Sequence, residues 1–403
     1  MGQDAVEAND ESEDIELNDD ELFPSLCMDC ARHPSVKKLV AQDCTKGRCA
    51  LCARDDVDVR NPQNLEPLVM VIRALVRFHY DEQDYNPHWG GESVMSLFYD
   101  DANLIVEPPK SNLYVDDFDE WLNWPVYPDW DKGIAMFAGH DHGDRGMNFA
   151  ISRTTPPGFS ELQARLLTEN FFQVESGLED YIARFINDIE AMLPQGEVWF
   201  RARVGETKTF HRFSIDSMET MRMHVPWLGK DIGAPPPPKA GFGRVNRAGV
   251  SVMYLASDPY TAVAEIRPHP GHTVSLGGFR SKEPIRLADF NPDIGLFSQS
   301  DQRLSLYAII RAFDRLMSMP VTPDERTPYL LTQLLAEVLL RHGFDGVRFR
   351  SSVSQGSNIC IFYPDKFEFV SDHSEVRQIK AVAYEIEPVH SALAKEPGDM
   401  PFD

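Results

Sequence analysis

No apolar run in the 403 residues approaches the eighteen or so that a helix needs to cross a bilayer, which argues against a membrane-spanning role. Basic charge is scarce. Lys and Arg number 39 against 63 Asp and Glu, a formal net charge of −24. Phosphate binding needs a basic face, so nucleic acid is not an expected partner. The first residues are acidic and lead into no apolar stretch, so no secretory signal is read and a cytoplasmic location is expected. Cysteine is sparse as well, at six residues. Five of them fall between Cys27 and Cys52 and the sixth, Cys360, stands alone, which excludes the spread pairs of a disulfide framework. There is no internal repeat.

What is present reads as a globular chain long enough for two cores, with 42% hydrophobic and 25% charged residues. The charge is uneven. Residues 4–21 hold ten Asp and Glu and no base, whereas 21 basic and 18 acidic residues nearly balance from Glu197 to Val370. An anionic ligand would meet no acidic wall in that half. We read 1–26 as a disordered acidic tail, 27–60 as a cysteine knuckle, 61–195 as a mainly helical domain, 196–370 as an α+β domain and 371–403 as an extension. Helical spacing of Leu65, Leu68, Val69, Ile72 and Val76 predicts a helix over 64–80. A stripe from Leu178 to Met192 predicts another over 160–193, capped by Ser160 with Gln163 and ended by Pro194-Gln195-Gly196. Beyond that boundary, strands are expected at 198–202, 252–256, 272–276, 285–288, 347–349 and 358–363. Two helices are expected there, one entered through Ser257-Asp258-Pro259 and one over 328–341.

Cys27 and Cys30, then eighteen residues, then Cys49 and Cys52, give two C-x₂-C pairs at the spacing of a structural zinc site. Four thiolates close the coordination sphere, so such a Zn²⁺ builds fold and does no chemistry. The plain alternative is free cysteines in a small core. Cys44 and His33 are spare and could replace one of the four. His140, His142 and Asp144 are set among Gly139, Gly143 and Gly146, which reads as a flexible loop in preference to a metal site.

The C-terminal half carries a Gly-rich loop with a base inside it, Gly241-Phe242-Gly243-Arg244-Val245-Asn246, leading into the strand around Tyr254 and on to Glu265. Taken singly, Tyr254 is a packed strand residue, Glu265 a surface ion-pair partner of Arg267, and the loop a hairpin connection. Their order and spacing, Arg244, Tyr254 ten residues on and Glu265 eleven further, resemble the core of the RES domain, named for an Arg, a Glu and a Ser. The family's loop usually reads Gly-Arg-Trp-Asn, and Val245 departs from it. Phe200-Arg201-Ala202-Arg203 resembles the family's opening strand. Gly346 to Ser352, followed by Asn358-Ile359-Cys360, resembles the segment that supplies the serine, with Ser351 and Ser352 both candidates. The resemblance covers about 197–363.

It implies an ADP-ribosyltransferase-like split sheet with the dinucleotide in its cleft, and NAD⁺ as substrate. Cleavage of the nicotinamide–ribose bond passes through an oxocarbenium-like ribose, which calls for a fixed anion such as Glu265. Arg201 and Arg244 suit the pyrophosphate, because guanidinium presents a planar fork to paired oxygens. Tyr254 offers a ring to order nicotinamide, Ser351 or Ser352 a hydroxyl, and Asn358 support for that loop. Many family members are bacterial toxins restrained by an antitoxin, so an antitoxin or other regulator is a candidate partner. Self-association stays open. Water, phosphate and protein all remain as acceptors, making NAD⁺ glycohydrolase, phosphorylase and protein ADP-ribosyltransferase the enzyme readings. A zinc-containing interaction module with a dead RES scaffold is the non-enzymatic one. Cysteine-bearing helical regions fused to RES domains have been likened to HEPN domains, and Arg73 and His79 lie at the spacing of HEPN ribonucleases. The acidic N-terminal half repels RNA, so a solvated Arg and a satisfied His are the preferred reading.

Overall fold

A computed structural model describes residues 25–81, 84–85, 91–92, 94–110, 150–156, 158–215, 218–321, 329–383 and 386. The glycine-flanked His140, His142 and Asp144, and all but the end of the acidic tail, lie outside them. Two compact units emerge, Met1–Ile189 with Phe290–Leu316, and Glu190–Asp289 with Met317–Asp403. Among the described residues, no helix is long and apolar enough to cross a membrane.

The first unit contains helices α1 (Pro34–Gln42), α2 (Glu66–His79), α3 (Val94–Tyr99), α4 (Phe159–Arg165) and α5 (Phe171–Ala183), and a ribbon of β1 (Cys44–Gly47) and β2 (Val57–Arg60). The 64–80 periodicity is realised as α2, whose Leu68, Val69, Ile72, Leu75 and Val76 are buried. The helix expected over 160–193 is instead two helices and a strand. Asn170 and Gln173 form the capping box that starts α5, in place of Ser160 and Gln163. Residues 190–193 pair antiparallel with 285–289, so a tertiary partner overrides the helical stripe, and Met192 turns outward at 55% exposure. The stripe itself is packed: Leu178, Ile182, Phe185 and Ile189 are all buried. A helix the sequence reading did not name, Asp301–Ser318, contributes Phe313, which meets Phe159, Phe185 and Phe290.

The second unit is a mixed eight-stranded sheet in the order β12-β8-β4-β7-β11-β10-β9-β3. Its strands are β3 (Glu190–Leu193), β4 (Val198–Val204), β7 (Met253–Ala256), β8 (Thr273–Ser281), β9 (Ile285–Asp289), β10 (Gly346–Arg350), β11 (Ser357–Ile361) and β12 (Phe367–Gln378). Among these described strands, only β9 and β10 run parallel. The strand β12 continues past residue 370, where the sequence reading began an extension. Helices α6 (Pro259–Glu265) and α7 (Tyr329–Arg341) start as expected, α6 with Asp258 accepting from the Thr261 amide and Pro259 in its first turn. Gly343, at φ +78°, follows the end of α7. One sheet face packs Trp199, Met253, Leu255, Phe279 and Ile359. The other carries Ala202, Ala256 and Leu276, and the small residues there let Ala262 of α6 pack against the strands. A separate ribbon, β5 (Lys208–Ser214) with β6 (Glu219–Val225), was not expected.

In the first unit, burial and the nearby charges of His33 and Arg311 push the His79 imidazole down to about 4. The folded state therefore resists a proton that the unfolded chain accepts near its ordinary value. Stability is unaffected above about pH 6.5 and falls as pH drops toward 4, by roughly 3 kcal/mol from this group. Denaturant midpoints followed from pH 7 to pH 4.5 should fall less steeply for His79→Gln than for the native chain. Parallel curves would contradict this.

Candidate functional site

The Gly-rich loop is shaped by internal hydrogen bonds before any ligand is considered. Asn246 Nδ2 donates to the carbonyls of Gly241, Arg247 and Val250. From β7, the Tyr254 hydroxyl donates to Asn246 Oδ1 at 2.9 Å and accepts from the Val245 amide at 3.1 Å. From α7, Gln333 Nε2 donates to the Gly243 and Asn246 carbonyls, and the Thr332 hydroxyl to that of Arg244. A Cβ at Gly243 would sit 2.4 Å from Asn246 Oδ1 and 2.7 Å from the Tyr254 oxygen, so a larger residue would displace the hydrogen bond between them. Burial holds the Tyr254 phenol well above its ordinary range, which keeps it a neutral donor. Val245, the departure from the family's usual Trp, is buried.

Around this loop lies a cavity of about 480 Å³, lined by Arg201, Arg244, Tyr254, Glu265, Ser352 and Asn358, all expected from the sequence. Ser351 reaches it through Glu265. Arg201 projects from β4, which pairs with β7 only through Phe200 and Ala256, and its Nη1 donates to the Tyr254 carbonyl at 2.9 Å. The Arg244 Nη2 donates to the Met319 carbonyl at 2.9 Å, and its guanidinium lies 5.1 Å over the Tyr329 ring, which stacks on Phe242. Burial lowers the pKa of both arginines, a desolvation cost that an anionic ligand would relieve.

Glu265, the last residue of α6, is where distant segments meet. Its Oε1 accepts from Ser351 Oγ at 2.7 Å and from Asn358 Nδ2 at 2.6 Å. Both donors arrive through the β10–β11 hairpin, in which Phe349 pairs with Asn358. Ser351 thus contacts the carboxylate while Ser352 contributes to the cavity wall. Sequence reasoning missed two lining cations, Arg267 and Arg350, although both stand beside residues it singled out. It also missed Asn246, Thr332 and Gln333. With Arg267 and Arg350 included, the charged lining residues are four arginines and one carboxylate, Glu265. Tyr254 does more than offer a ring, since its hydroxyl is committed to the loop. A neighbouring cavity of about 990 Å³ shares Arg201 and Ala202 and adds Arg203, Lys230 and Lys239.

In the first unit, the sulfur atoms of Cys27, Cys30, Cys49 and Cys52 lie within 4.8 Å of one another. Cys27 and Cys52 are 3.9 Å apart, close to the roughly 3.8 Å separation of thiolates bound tetrahedrally at 2.3 Å. Arg54 donates to the sulfurs of Cys52 and Cys27 at 3.3 and 3.7 Å, which places a cation against the cysteine cluster. Neither spare ligand joins the four. Cys44 is exposed on β1, and His33 Nδ1 accepts from the Ser35 amide to cap α1. His79 and Arg73 share α2, with the His79 ring edge-on to Phe78.

Residues 220–382 match the family model described as RES domain. The match begins after Arg201 and includes the Gly-rich loop, Glu265 and the serine segment. No curated protein matches the chain. A crystal structure of the M. tuberculosis MbcT-MbcA toxin-antitoxin complex is similar at 9% identity, over 49% of this chain and 92% of that chain, with a TM-score of 0.25.

The Tyr254 geometry makes a prediction of its own. Tyr254→Phe leaves the Val245 amide and Asn246 Oδ1 without a partner, at a cost of about 1–3 kcal/mol. Chemical denaturation should show a loss in that range, and an unchanged midpoint would mean the loop does not depend on the hydroxyl.

Proposed function

We propose that the chain is an NAD⁺-consuming enzyme that cleaves the nicotinamide–ribose bond and passes the ribose carbon to water or phosphate. The observation that carries this is Glu265, one carboxylate held by Ser351 and Asn358 in a largely apolar cavity whose other charged lining residues are all arginines. Such a cavity suits a ligand with a pyrophosphate and a centre that becomes cationic during reaction. As the C1′–N bond breaks, its electron pair returns to the nicotinamide ring, which departs neutral, and positive charge builds on the ribose. The Glu265 carboxylate holds the ribose hydroxyls and faces that charge. A water or phosphate oxygen then bonds to C1′, and water gives up its proton to solvent. Arg201 and Arg244 bind the pyrophosphate, where burial of their charge already favours an anion. Tyr254 and Asn246 keep the Arg244 loop in place. The RES domain match over residues 220–382 supports the same reading.

We further assign the four cysteines as ligands of a structural Zn²⁺. The sulfur spacing and the Arg54 contacts fit four thiolates on one ion, whose contribution is to fix the two knuckles together.

Two measurements test these readings. Chromatography of NAD⁺ incubated with the protein should show nicotinamide release, with ADP-ribose as co-product, or ADP-ribose 1″-phosphate when phosphate is the acceptor. Glu265→Gln keeps the shape and removes the charge, and should lower kcat about 10²–10³-fold. No loss of NAD⁺ at any enzyme concentration would refute the enzyme reading, and adenine label retained on protein would replace it with transfer to protein. Elemental analysis should find about one zinc per chain, lost in Cys49→Ser. A metal-free, fully folded native chain would refute the zinc assignment.

A further inference from the structure

The loop that carries Ser351 and Ser352 is fastened at a second point, away from the cavity. The Thr261 hydroxyl donates to Asp258 Oδ2 at 2.6 Å and lies 2.6 Å from the Ser354 hydroxyl. A hydroxyl has one proton, and Thr261 gives its own to the carboxylate, so Ser354 is the donor in the second contact. The Ser354 oxygen in turn accepts from the Gly356 amide at 3.1 Å. A relay therefore runs from the Gly356 N–H through Ser354 and Thr261 to a carboxylate, and its anionic end strengthens each link. Asp258 Oδ2 also accepts from Ser257, whose oxygen receives the Ser357 amide. The loop closes on itself through Ser351 N and the Gly356 carbonyl at 3.0 Å.

Packing at this point leaves no slack. Thr261 is 1% exposed. A Cβ on Gly356 would lie 2.2 Å from its hydroxyl oxygen, 2.5 Å from Asp258 Oδ2 and 2.6 Å from Ser257 Oγ. Thr261 and Glu265 stand four residues apart on α6, one turn or about 6 Å along the helix. Ser354 and Ser351 stand three apart on the loop. The loop thus lies along a single helical turn, pinned at Thr261 by the relay and at Glu265 by the catalytic contact.

We propose that Thr261 and Ser354 are positioning residues, a latch that holds the serine loop against α6 and so fixes the Ser351–Glu265 hydrogen bond. The inference rests on the NAD⁺-cleaving reading for its kinetic consequence and on geometry alone for its structural one. Thr261→Val keeps the side-chain shape and the backbone cap to Asp258 while removing the hydroxyl. Thr261→Ser restores it. Displacement of reacting groups by about an ångström costs up to 10²-fold, so Thr261→Val should lower kcat about 10- to 100-fold with little change in KM. Thr261→Ser should recover most of the loss.

Hydrogen exchange of the intact protein tests the latch without NAD⁺. In Thr261→Val the amides of 351–357 should exchange faster while those of β8 and β12 stay as slow as in the native chain. Native-like exchange at 351–357 overturns the latch. Acceleration spread over the whole sheet also overturns it, because Thr261 would then act on overall stability. If the native chain cleaves NAD⁺ and Thr261→Val has native kcat, the kinetic role is refuted. If the native chain leaves NAD⁺ intact, the enzyme reading fails and the exchange result still decides the latch.

Discussion

One carboxylate oxygen, Glu265 Oε1, accepts both Ser351 and Asn358, residues 86 and 93 positions further along the chain. The short helix α6 places that oxygen, and its own geometry begins at Asp258, the N-cap that accepts the Thr261 amide. The β10–β11 hairpin delivers the two donors. The carboxylate stays exposed at the end of the helix, and these two hydrogen bonds are what fix its position and tie the serine loop to α6. Charge then sets what the cavity can hold. Its charged lining residues are four arginines and a single carboxylate, and burial makes the Arg201 and Arg244 charges costly in the absence of an anion, which underlies the proposed ligand.

A second constraint is the narrow junction between β4 and β7. The two strands pair through Phe200 and Ala256 alone, and the Arg201 side chain reaches the Tyr254 carbonyl beside it. Ladder hydrogen bonds that a continuous pair would make are exchanged for room. The Gly-rich loop lies over β7, and Tyr254 links the two by lending its hydroxyl to the loop. The arginine, the tyrosine and the acid thus belong to one connected arrangement.

Much of the site was legible because its residues sit in short, ordered motifs. Arg201, Arg244, Tyr254, Glu265, Ser352 and Asn358 all reach one cavity, and Ser351 bonds to the acid. Each C-x₂-C pair brackets a tight turn, and the bridge between Ser25 and Cys49 brings the two pairs together. Thr332 and Gln333 were not legible, since nothing local tells a helical Gln facing a loop carbonyl from one facing water. The strand at 190–193 was hidden for a similar reason. Its apolar stripe continues that of α5, and only pairing with β9 reveals the change of period. The helix over 301–318 is different: its buried Leu304, Ile310, Phe313 and Met317 do recur with helical spacing, and the signal was there to be read. The β5–β6 ribbon carries exposed Phe210, Phe213 and Met221, so its faces lack the in-out contrast by which a strand is recognised.

The most direct test of the shared cavity is a crystal structure of the Glu265→Gln protein with intact NAD⁺. The account predicts the nicotinamide ribose within hydrogen-bond distance of the side chain at position 265, with the pyrophosphate on Arg201 or Arg244. A dinucleotide bound elsewhere, touching neither that side chain nor either arginine, would contradict it.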